Sequence, residues 1–568
     1  MSIRRTNKRL RSAVVVLFLS FLILLGRMFY IQVVMGAEYR SLAQRQQVRD
    51  VEIAAPRGII YDRNGEELAV SERMATLVAN PALVKEPAAV AARLAPILGL
   101  DEAGLREKLE GDGRFTFLAR KIEPSVAERV MAQGIRGIGM TAESKRVYPK
   151  GALAPQLIGY VGMDNVGLAG LEKQYEEVLG GLPGSRSIVG DPFGRSLDVL
   201  ADDEGEQGRS IVSTIDEDIQ YAAEQTLTQV VKEFGAKKAM AVVMDPASGE
   251  ILAMANAPLF DANAFNQVRD EQLKRNSVVV DQYEPGSTFK IVTFAAVLEA
   301  GLVTPDTRLE LPPEIKVHDR VVHESTRDQP PLRDYTVTRI LEQSSNVGTV
   351  MLAQKLGEKA LVEMIERFGF GRKTGIDFPG EASGLVLPLK KWSGSTIGNV
   401  PMGQGISVTP LQLATAYAVI ANDGVAVRPH LVRGGGPREA ARRVIGAETA
   451  ARIRRMLKGV VEEGTGRSAR IEGYDVAGKT GTAQKVDPQT GRYSRSLYLS
   501  SFVGMVPADK PRLVVLVMVD EPTTAYYGSS VAAPAFAKIA DFALKRLEIP
   551  PARTTPVPPS VVGPAGAD

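Results

Sequence analysis

The sequence predicts a membrane-anchored α+β protein of two or more domains, the larger built on an antiparallel sheet enclosed by helices. Three observations predict it. At 568 residues the chain is too long for one hydrophobic core. A nearly unbroken apolar run from Ala13 to Val34 follows a basic start. Strand patterns near 210–255 and 500–519 bracket a long stretch with helical periodicity.

Arg4, Arg5, Lys8, Arg9 and Arg11 stand before the apolar run with no acid among them. The net charge is only +3, so the remainder sums to about −2 and gives no sign of nucleic-acid binding. Five cations ahead of a span place the N-terminus in the cytoplasm and the rest outside it. Ala13 to Gly26 alone is short for a span. The run continues past Arg27 to Val34, which suffices if Arg27 snorkels or meets a polar partner. No small-x-small cleavage site follows, so an uncleaved anchor is favoured over a signal peptide. The expected divisions are a basic segment 1–11, an anchor 12–35, a non-catalytic domain 36–210, a larger domain 211–549 and a tail 550–568.

After the anchor, Ala37 to Gln46 reads as a polar helical continuation. Val51 to Val70 reads as a hairpin turning at Asp62-Arg63-Asn64-Gly65, because Asn-Gly accepts the positive φ of a tight turn. Pro87 to Gly134 carries short helical pieces broken at Gly111-Asp112-Gly113. Gly180 to Arg209 suits exposed hairpins or loops. Ser210 to Ile215 reads as a strand, and Asp216 to Glu233 as an amphipathic helix. Lys238 to Met244 and Glu250 to Ala255 flank a turn at Asp245-Pro-Ala-Ser-Gly249. Helices are expected at 288–300, 336–354, 359–368 and 410–422. Leu513 to Val519 is a continuous apolar run suited to a buried strand, with Ser500 to Val506 beside it. The Pro-rich tail from Pro550 lacks periodicity and is expected to be disordered.

Cysteine is absent, which excludes disulfides, thiol catalysis, lipoprotein acylation and cysteine metal sites. The three histidines, at 318, 323 and 430, form no convincing metal set, and no Gly-x-Ser-x-Gly elbow accompanies them. No metal or cofactor is implied.

The chemistry is carried by Ser287-Thr-Phe-Lys290, which follows a Pro285-Gly286 break and opens an apolar run. Positions three apart share a helix face, so the lysine amine can reach the serine hydroxyl. A lysine accepts the serine proton only if burial or a nearby cation lowers its pKa. Ser344-Ser345-Asn346 and Lys479-Thr480-Gly481-Thr482 follow in order, the latter on a predicted strand edge. Each motif alone is weak; the ordered set is that of penicillin-binding proteins and serine β-lactamases.

Further segments carry a closer resemblance. They are Arg57-Gly58-Ile-Ile-Tyr-Asp62-Arg63-Asn64-Gly65, Arg146-Val-Tyr148-Pro149, Gly167-Leu-Ala-Gly170-Leu-Glu172, Gly403-Gln-Gly405 with Thr409-Pro410, and Tyr526-Tyr527-Gly528. From about Arg11 to about Leu547 the chain resembles a class B penicillin-binding protein of the division-specific, septal (FtsI-type) branch. The resemblance implies an elongated β-rich pedestal (dimerisation-type) domain followed by a penicilloyl-serine transferase domain, an α/β/α sandwich on an antiparallel sheet. It implies peptidoglycan D,D-transpeptidation through a serine acyl-enzyme at the inner (cytoplasmic) membrane, with the catalytic domain extracytoplasmic.

Under that resemblance Ser287 is the nucleophile and Lys290 the general base, kept neutral by burial and Lys479. Ser344 relays a proton to the leaving amine, and Asn346 orients Lys290 and the substrate amide. Lys479 adds positive potential. Thr480 and Thr482 bind the terminal carboxylate of the D-Ala-D-Ala donor, while Gly481 leaves the strand edge free for the peptide. The N–H groups of Ser287 and Thr482 form the oxyanion site. The partners implied are peptidoglycan stem peptides, β-lactams, the membrane, an FtsW-type glycosyltransferase and other division proteins. A β-lactamase or β-lactam sensor shares the three motifs but needs a deacylation base that is not evident. A non-catalytic divisome scaffold would not need both lysines.

Overall fold

The computed structural model describes residues 3–39, 48–53, 55–113, 115–190, 196–203, 205–324, 332–434, 441–487 and 489–551. The expected tail from 552 onward, and most of the helical continuation at 37–46, lie outside the described residues.

Helix α1 (Ile3–Phe29) runs into one wide π-type turn at Tyr30–Val34. Within it Leu10–Val34 has a mean hydropathy of 2.4 over its most apolar window, none of which is buried by protein. Twenty-five residues at 1.5 Å each cover a bilayer core of about 30 Å. The Arg27 guanidinium lies over the Tyr30 ring, 5.6 Å from its centre, which gives this cation a partner in the span.

The chain divides into two compact units, the first of which includes the anchor. The first comprises Met1–Arg57, Ser71–Lys145 and Gly180–Gly208. In it the strand Thr116–Ile122 pairs with the second half of the long strand Glu67–Ala79, and the strand Ile138–Val147 pairs with the same long strand. Helices Pro87–Leu98, Glu102–Glu110 and Pro124–Met131 cover them through Leu77, Leu94, Leu105, Leu109, Leu118 and Val130. Asp101 caps the second helix, accepting from Gly104 N at 2.8 Å. A separate antiparallel sheet joins Val48–Ile53 to the hairpin Gly184–Gly190/Ser196–Asp203.

That pairing corrects the hairpin expected over 51–70. Val51 pairs with Arg186, and the true hairpin is Ile60–Tyr61 against the start of Glu67–Ala79. Pro56 has no N–H to give a ladder. Gly58 has no room for a side chain, because a Cβ there would lie 2.2 Å from Arg209 O. The turn itself is as expected: Asp62 Oδ1 accepts from Asn64 N at 2.6 Å and Glu66 N at 2.9 Å.

The second unit comprises Gly58–Val70, Arg146–Leu179 and Arg209–Asp568. Its centre is an antiparallel five-stranded sheet: β1 Lys238–Met244, β2 Ile251–Ala257, β3 Ala477–Val486, β4 Tyr493–Val506 and β5 Leu513–Asp520. The spatial order is β2-β1-β5-β4-β3, so β5 is central and β3 is an edge. Every residue of β5 is buried, because both faces are covered. On one face α2 (Glu217–Phe234) and α7 (Gly528–Arg546) pack Ile219, Leu227, Phe536 and Ile539 against Ala241, Val243, Val515 and Val517. On the other lie α3 (Lys290–Glu299), α4 (Asn346–Leu356), α5 (Pro410–Ala421) and α6 (Ala447–Glu462). They meet Met240, Val242, Leu516 and Met518 in one core. This is the expected α/β/α sandwich.

Two expected elements differ. The strand at 210–215 is only Ile211–Val212, because Thr214 onward leads into the α2 cap, where Asp216 accepts from Ile219 N at 3.2 Å. The helix expected over 336–354 is two helices, Val337–Glu342 and α4. Ser344 between them has φ +56°, and Ser345 caps α4 by accepting from Gly348 N at 3.0 Å. Serine competes with helical hydrogen bonding by bonding its own backbone neighbourhood, and an apolar period count does not register that.

Candidate active site

Ser287 sits in a single 3-10 turn, Gly286–Phe289, that leads directly into α3. The turn is fixed from three sides. Thr288 Oγ1 donates to Pro285 O at 2.7 Å, Tyr417 Oη of α5 donates to Thr288 O at 2.9 Å, and Gly286 N donates to Gly403 O at 3.1 Å. Gly403 has φ +81°, and a Cβ on it would lie 2.3 Å from Gly286 O. The Gly403-Gln-Gly405 segment is thus the backbone wall behind the serine turn.

Lys290, the first residue of α3, is fully buried. Its Nζ donates to Ser344 O at 2.7 Å, to Asn346 Oδ1 at 2.8 Å and to Ser344 Oγ at 3.3 Å. Ser344 Oγ in turn donates to Ser287 Oγ at 3.0 Å. Among the described hydrogen bonds, serine and lysine are therefore joined through Ser344 rather than directly. The positive φ of Ser344 turns both its carbonyl and its hydroxyl toward Lys290.

Lys479, Thr480, Gly481 and Thr482 lie on the edge strand β3, opposite Val503, Phe502, Ser501 and Ser500. A Cβ on Gly481 would come within 2.4 Å of Ser501 Oγ and 2.9 Å of Thr288 Cγ2, so this glycine lets the serine turn rest on the strand. Thr480 Oγ1 pairs with Thr465 Oγ1 at 2.9 Å. Thr482 Oγ1 accepts from Gly528 N at 3.0 Å at the head of α7, which ties the Tyr526-Tyr527-Gly528 segment to the motif strand. All eight residues expected to form the site converge: Ser287, Lys290, Ser344 and Asn346 in one network, and Lys479, Thr480, Gly481 and Thr482 on the adjoining edge.

Burial pushes Lys290 down to about 7, with the charge of Glu324 opposing the shift. Burial pushes Lys479 well below the ordinary lysine value, and the charge of Lys290 adds to it. Repulsion between the two is mutual, so they do not both hold a proton near neutrality. Lys290 has three acceptors and a nearby carboxylate, whereas among the described residues Lys479 Nζ donates to Thr480 O and Thr480 Oγ1 alone, at 3.3 and 3.4 Å. Of the two lysines, Lys290 is therefore the better placed to hold a proton in the ligand-free site. The three motifs imply a charge on Lys479 and carry no sign of the Glu324 carboxylate.

Glu324 and Arg333 escaped that reading. Glu324 accepts from Ser345 Oγ at 2.5 Å, from Asn346 N at 2.8 Å and from Arg333 at 2.8 Å. Asn346 Nδ2 donates to His323 O at 3.1 Å. No motif spacing marks these residues. Thr465 had a signal in its Gly464-Thr465-Gly466 break between α6 and β3. The histidine side chains stay out of the network: His318 Nδ1 lies by Asp319, His323 Nδ1 by Glu314, and His430 Nδ1 by Arg428 O.

The family model "Penicillin binding protein transpeptidase domain" matches residues 239–541, more than half of the chain, and includes the whole network. The chain belongs to the penicillin-binding protein transpeptidases. The model for the penicillin-binding protein dimerisation domain matches residues 52–213. Penicillin-binding protein PbpB of Mycobacterium tuberculosis is 36% identical over 98% of this chain and 87% of its own length. Peptidoglycan D,D-transpeptidase FtsI of Escherichia coli is 33% identical over 94% and 91%. The crystal structure of M. tuberculosis penicillin-binding protein 3 complexed with aztreonam aligns with a TM-score of 0.69 and 33% identity, over 89% of this chain and 98% of that one. The penicillin-binding protein is accordingly class B and division-type, a serine enzyme of the peptidoglycan D,D-transpeptidase kind.

Proposed function

We propose that this penicillin-binding protein cross-links peptidoglycan stem peptides at the division septum, with Ser287 as nucleophile. The observation that carries the reading is the chain Ser287 Oγ–Ser344 Oγ–Lys290 Nζ beside an open strand edge bearing Lys479, Thr480, Gly481 and Thr482. A donor peptide ending in D-Ala-D-Ala lies along β3 as an added strand, with its carboxylate on Thr480, Thr482 and Lys479.

That anion favours the charged form of Lys479, and repulsion then drives Lys290 to its neutral form. The base is thereby armed by the substrate. Neutral Lys290 takes the Ser287 proton by way of the Ser344 hydroxyl, Ser287 Oγ bonds to the penultimate D-Ala carbonyl carbon, and the C–O π pair moves onto the oxygen. The N–H groups of Ser287 and Thr482 hold that oxyanion, each such donor contributing about 3–4 kcal/mol. The C–N bond breaks as Ser344 passes its proton to the departing D-Ala amine and takes in its place the one held by Lys290, leaving the acyl-enzyme, a neutral Lys290 and a protonated Ser344. The amine of a second stem peptide then attacks the ester, returning the proton to Ser287. β-Lactams enter the same first step through their strained amide.

The catalytic unit works outside the cytoplasm of a cell with an inner membrane, held by α1 with its basic N-terminus inside. Glycan polymerisation comes from an FtsW-type glycosyltransferase and other division proteins acting alongside. The test is covalent labelling of the detergent-solubilised full chain with a fluorescent penicillin, followed by intact mass and peptide mapping. One adduct on Ser287 is expected, absent in Ser287→Ala. Labelling that persists in Ser287→Ala sinks the assignment.

A further inference from the structure

A carboxylate stands behind the catalytic network and the three motifs do not account for it. Glu324 follows the hairpin formed by Glu314–Val317 and Arg320–His323, with its side chain 5% exposed. Its two oxygens hold the turn that presents Ser344. Ser345 Oγ donates to it at 2.5 Å while accepting from Gly348 N at 3.0 Å, so one hydroxyl couples Glu324 to the cap of α4. Asn346 N donates to its other oxygen at 2.8 Å. The same Asn346 holds Lys290 Nζ through Oδ1 and is anchored through Nδ2 to His323 O, the neighbour of Glu324. Arg333, itself 4% exposed, binds Glu324 at 2.8 Å.

This arrangement has two physical consequences. Ser344 is held at φ +56°, a region an L-residue occupies only when its surroundings enforce it. The enforcement comes from Ser345 and Asn346, both tied to Glu324. Two fully buried lysines, Lys290 and Lys479, also lie close enough to interact through their charges. Among the described residues, the charged groups acting on the Lys290 amine are Lys479 of β3, which repels its proton, and Glu324, which favours it. Removing water from ammonium groups without a counter-charge is costly.

We infer that Glu324 is a positioning residue for the acylation step, locking the Ser344–Asn346 turn against Lys290 and serving as the buried counter-anion of the two-lysine site. It touches neither substrate nor the reacting atoms. Its charge keeps the proton on Lys290 until an anionic substrate reaches Lys479. The inference rests on the reading of Lys290 as the base, and the test separates the two.

The experiment measures the second-order rate of penicillin acylation against pH in the full-length protein, and in parallel titrates the 13Cε resonance of Lys290, assigned by its loss in Lys290→Arg. In the parent both midpoints are expected near 7. In Glu324→Gln the negative charge is gone, the charged lysine is disfavoured, and both midpoints move down by about half a unit or more. The plateau rate falls about tenfold in that variant as the turn loosens. Glu324→Asp restores the charge and returns the midpoint toward the parent. Arg333→Gln removes the cation bound to Glu324 and moves the midpoint up, a sign that loosened structure alone does not produce. A Lys290 resonance whose midpoint is the same in Glu324→Gln and the parent overturns the inference, whatever happens to the rate. A resonance that shifts while the rate profile stays put supports the role of Glu324 and removes Lys290 as the base.

Discussion

At the scale of single residues the site is an exercise in holding a proton where it is useful. A buried lysine at about 7 is close to the ideal for a base working near neutrality. The acid limb of acylation follows from the sign: below the Lys290 pKa the amine is charged and cannot accept the Ser287 proton, so the rate rises with pH through about 7. Lys290→Arg keeps a cation but cannot become a base at accessible pH. Acylation is expected to fall by more than about a thousandfold, consistent with the loss of an activated nucleophile. Lys479→Arg preserves the charge that meets the carboxylate and is expected to be much milder. Substitution of His318, His323 or His430 should leave the rate within a few-fold, because their rings face Asp319, Glu314 and Arg428 O. Acylation rates with a penicillin across pH decide it: a histidine variant that loses activity while Lys290→Arg keeps it reverses the assignment.

At the scale of elements, the catalytic geometry depends on backbone surfaces meeting without side chains between them. Gly403→Ala places a methyl 2.3 Å from Gly286 O at a residue with φ +81°. Neither backbone can yield without moving the Ser287 turn, whereas the sheet and its two cores do not involve this contact. The expected outcome is at least a tenfold loss of acylation rate with the secondary structure intact, seen by stopped-flow acylation and circular dichroism on one sample. A parent-like rate would mean that the turn does not depend on this wall. The same elements show what a sequence discloses. Leu513–Asp520 was legible as an unbroken apolar run, Lys238–Met244 by the turn that follows it and Glu217–Phe234 by its helical period, while three motifs are enough to name the eight residues expected at the site. The break at Ser344 was not legible, since a left-handed serine is enforced through the ties that its neighbours Ser345 and Asn346 make to Glu324, a residue distant in sequence. Nor was the pairing of Val48–Ile53 with Gly184–Gly190, more than a hundred residues away, because strand partners leave no local trace.

At the scale of the whole molecule, the question is on which side of a membrane the two units work. Leu10–Val34 is long and apolar enough to span, and Arg27, the cation deep within it, lies against Tyr30. Arg4, Arg5, Lys8, Arg9 and Arg11 all precede its apolar run from Ala13. Moving that cluster outward through the bilayer is disfavoured against the cytoplasmic potential, so the chain after Val34 is expected outside. Peptidoglycan is also an extracytoplasmic polymer, and a transpeptidase held inside could not reach it. Protease added to spheroplasts should therefore digest both units and leave a small N-terminal fragment in the membrane. Replacing the five basic residues with Ser should weaken the bias and leave a protected full-length fraction. Sequencing of the mature N-terminus settles the remaining alternative. A start at or near Met1 fits the anchor, whereas a start near Ala37 would show that α1 is a cleaved signal and that the enzyme is held at the wall by something other than its own helix.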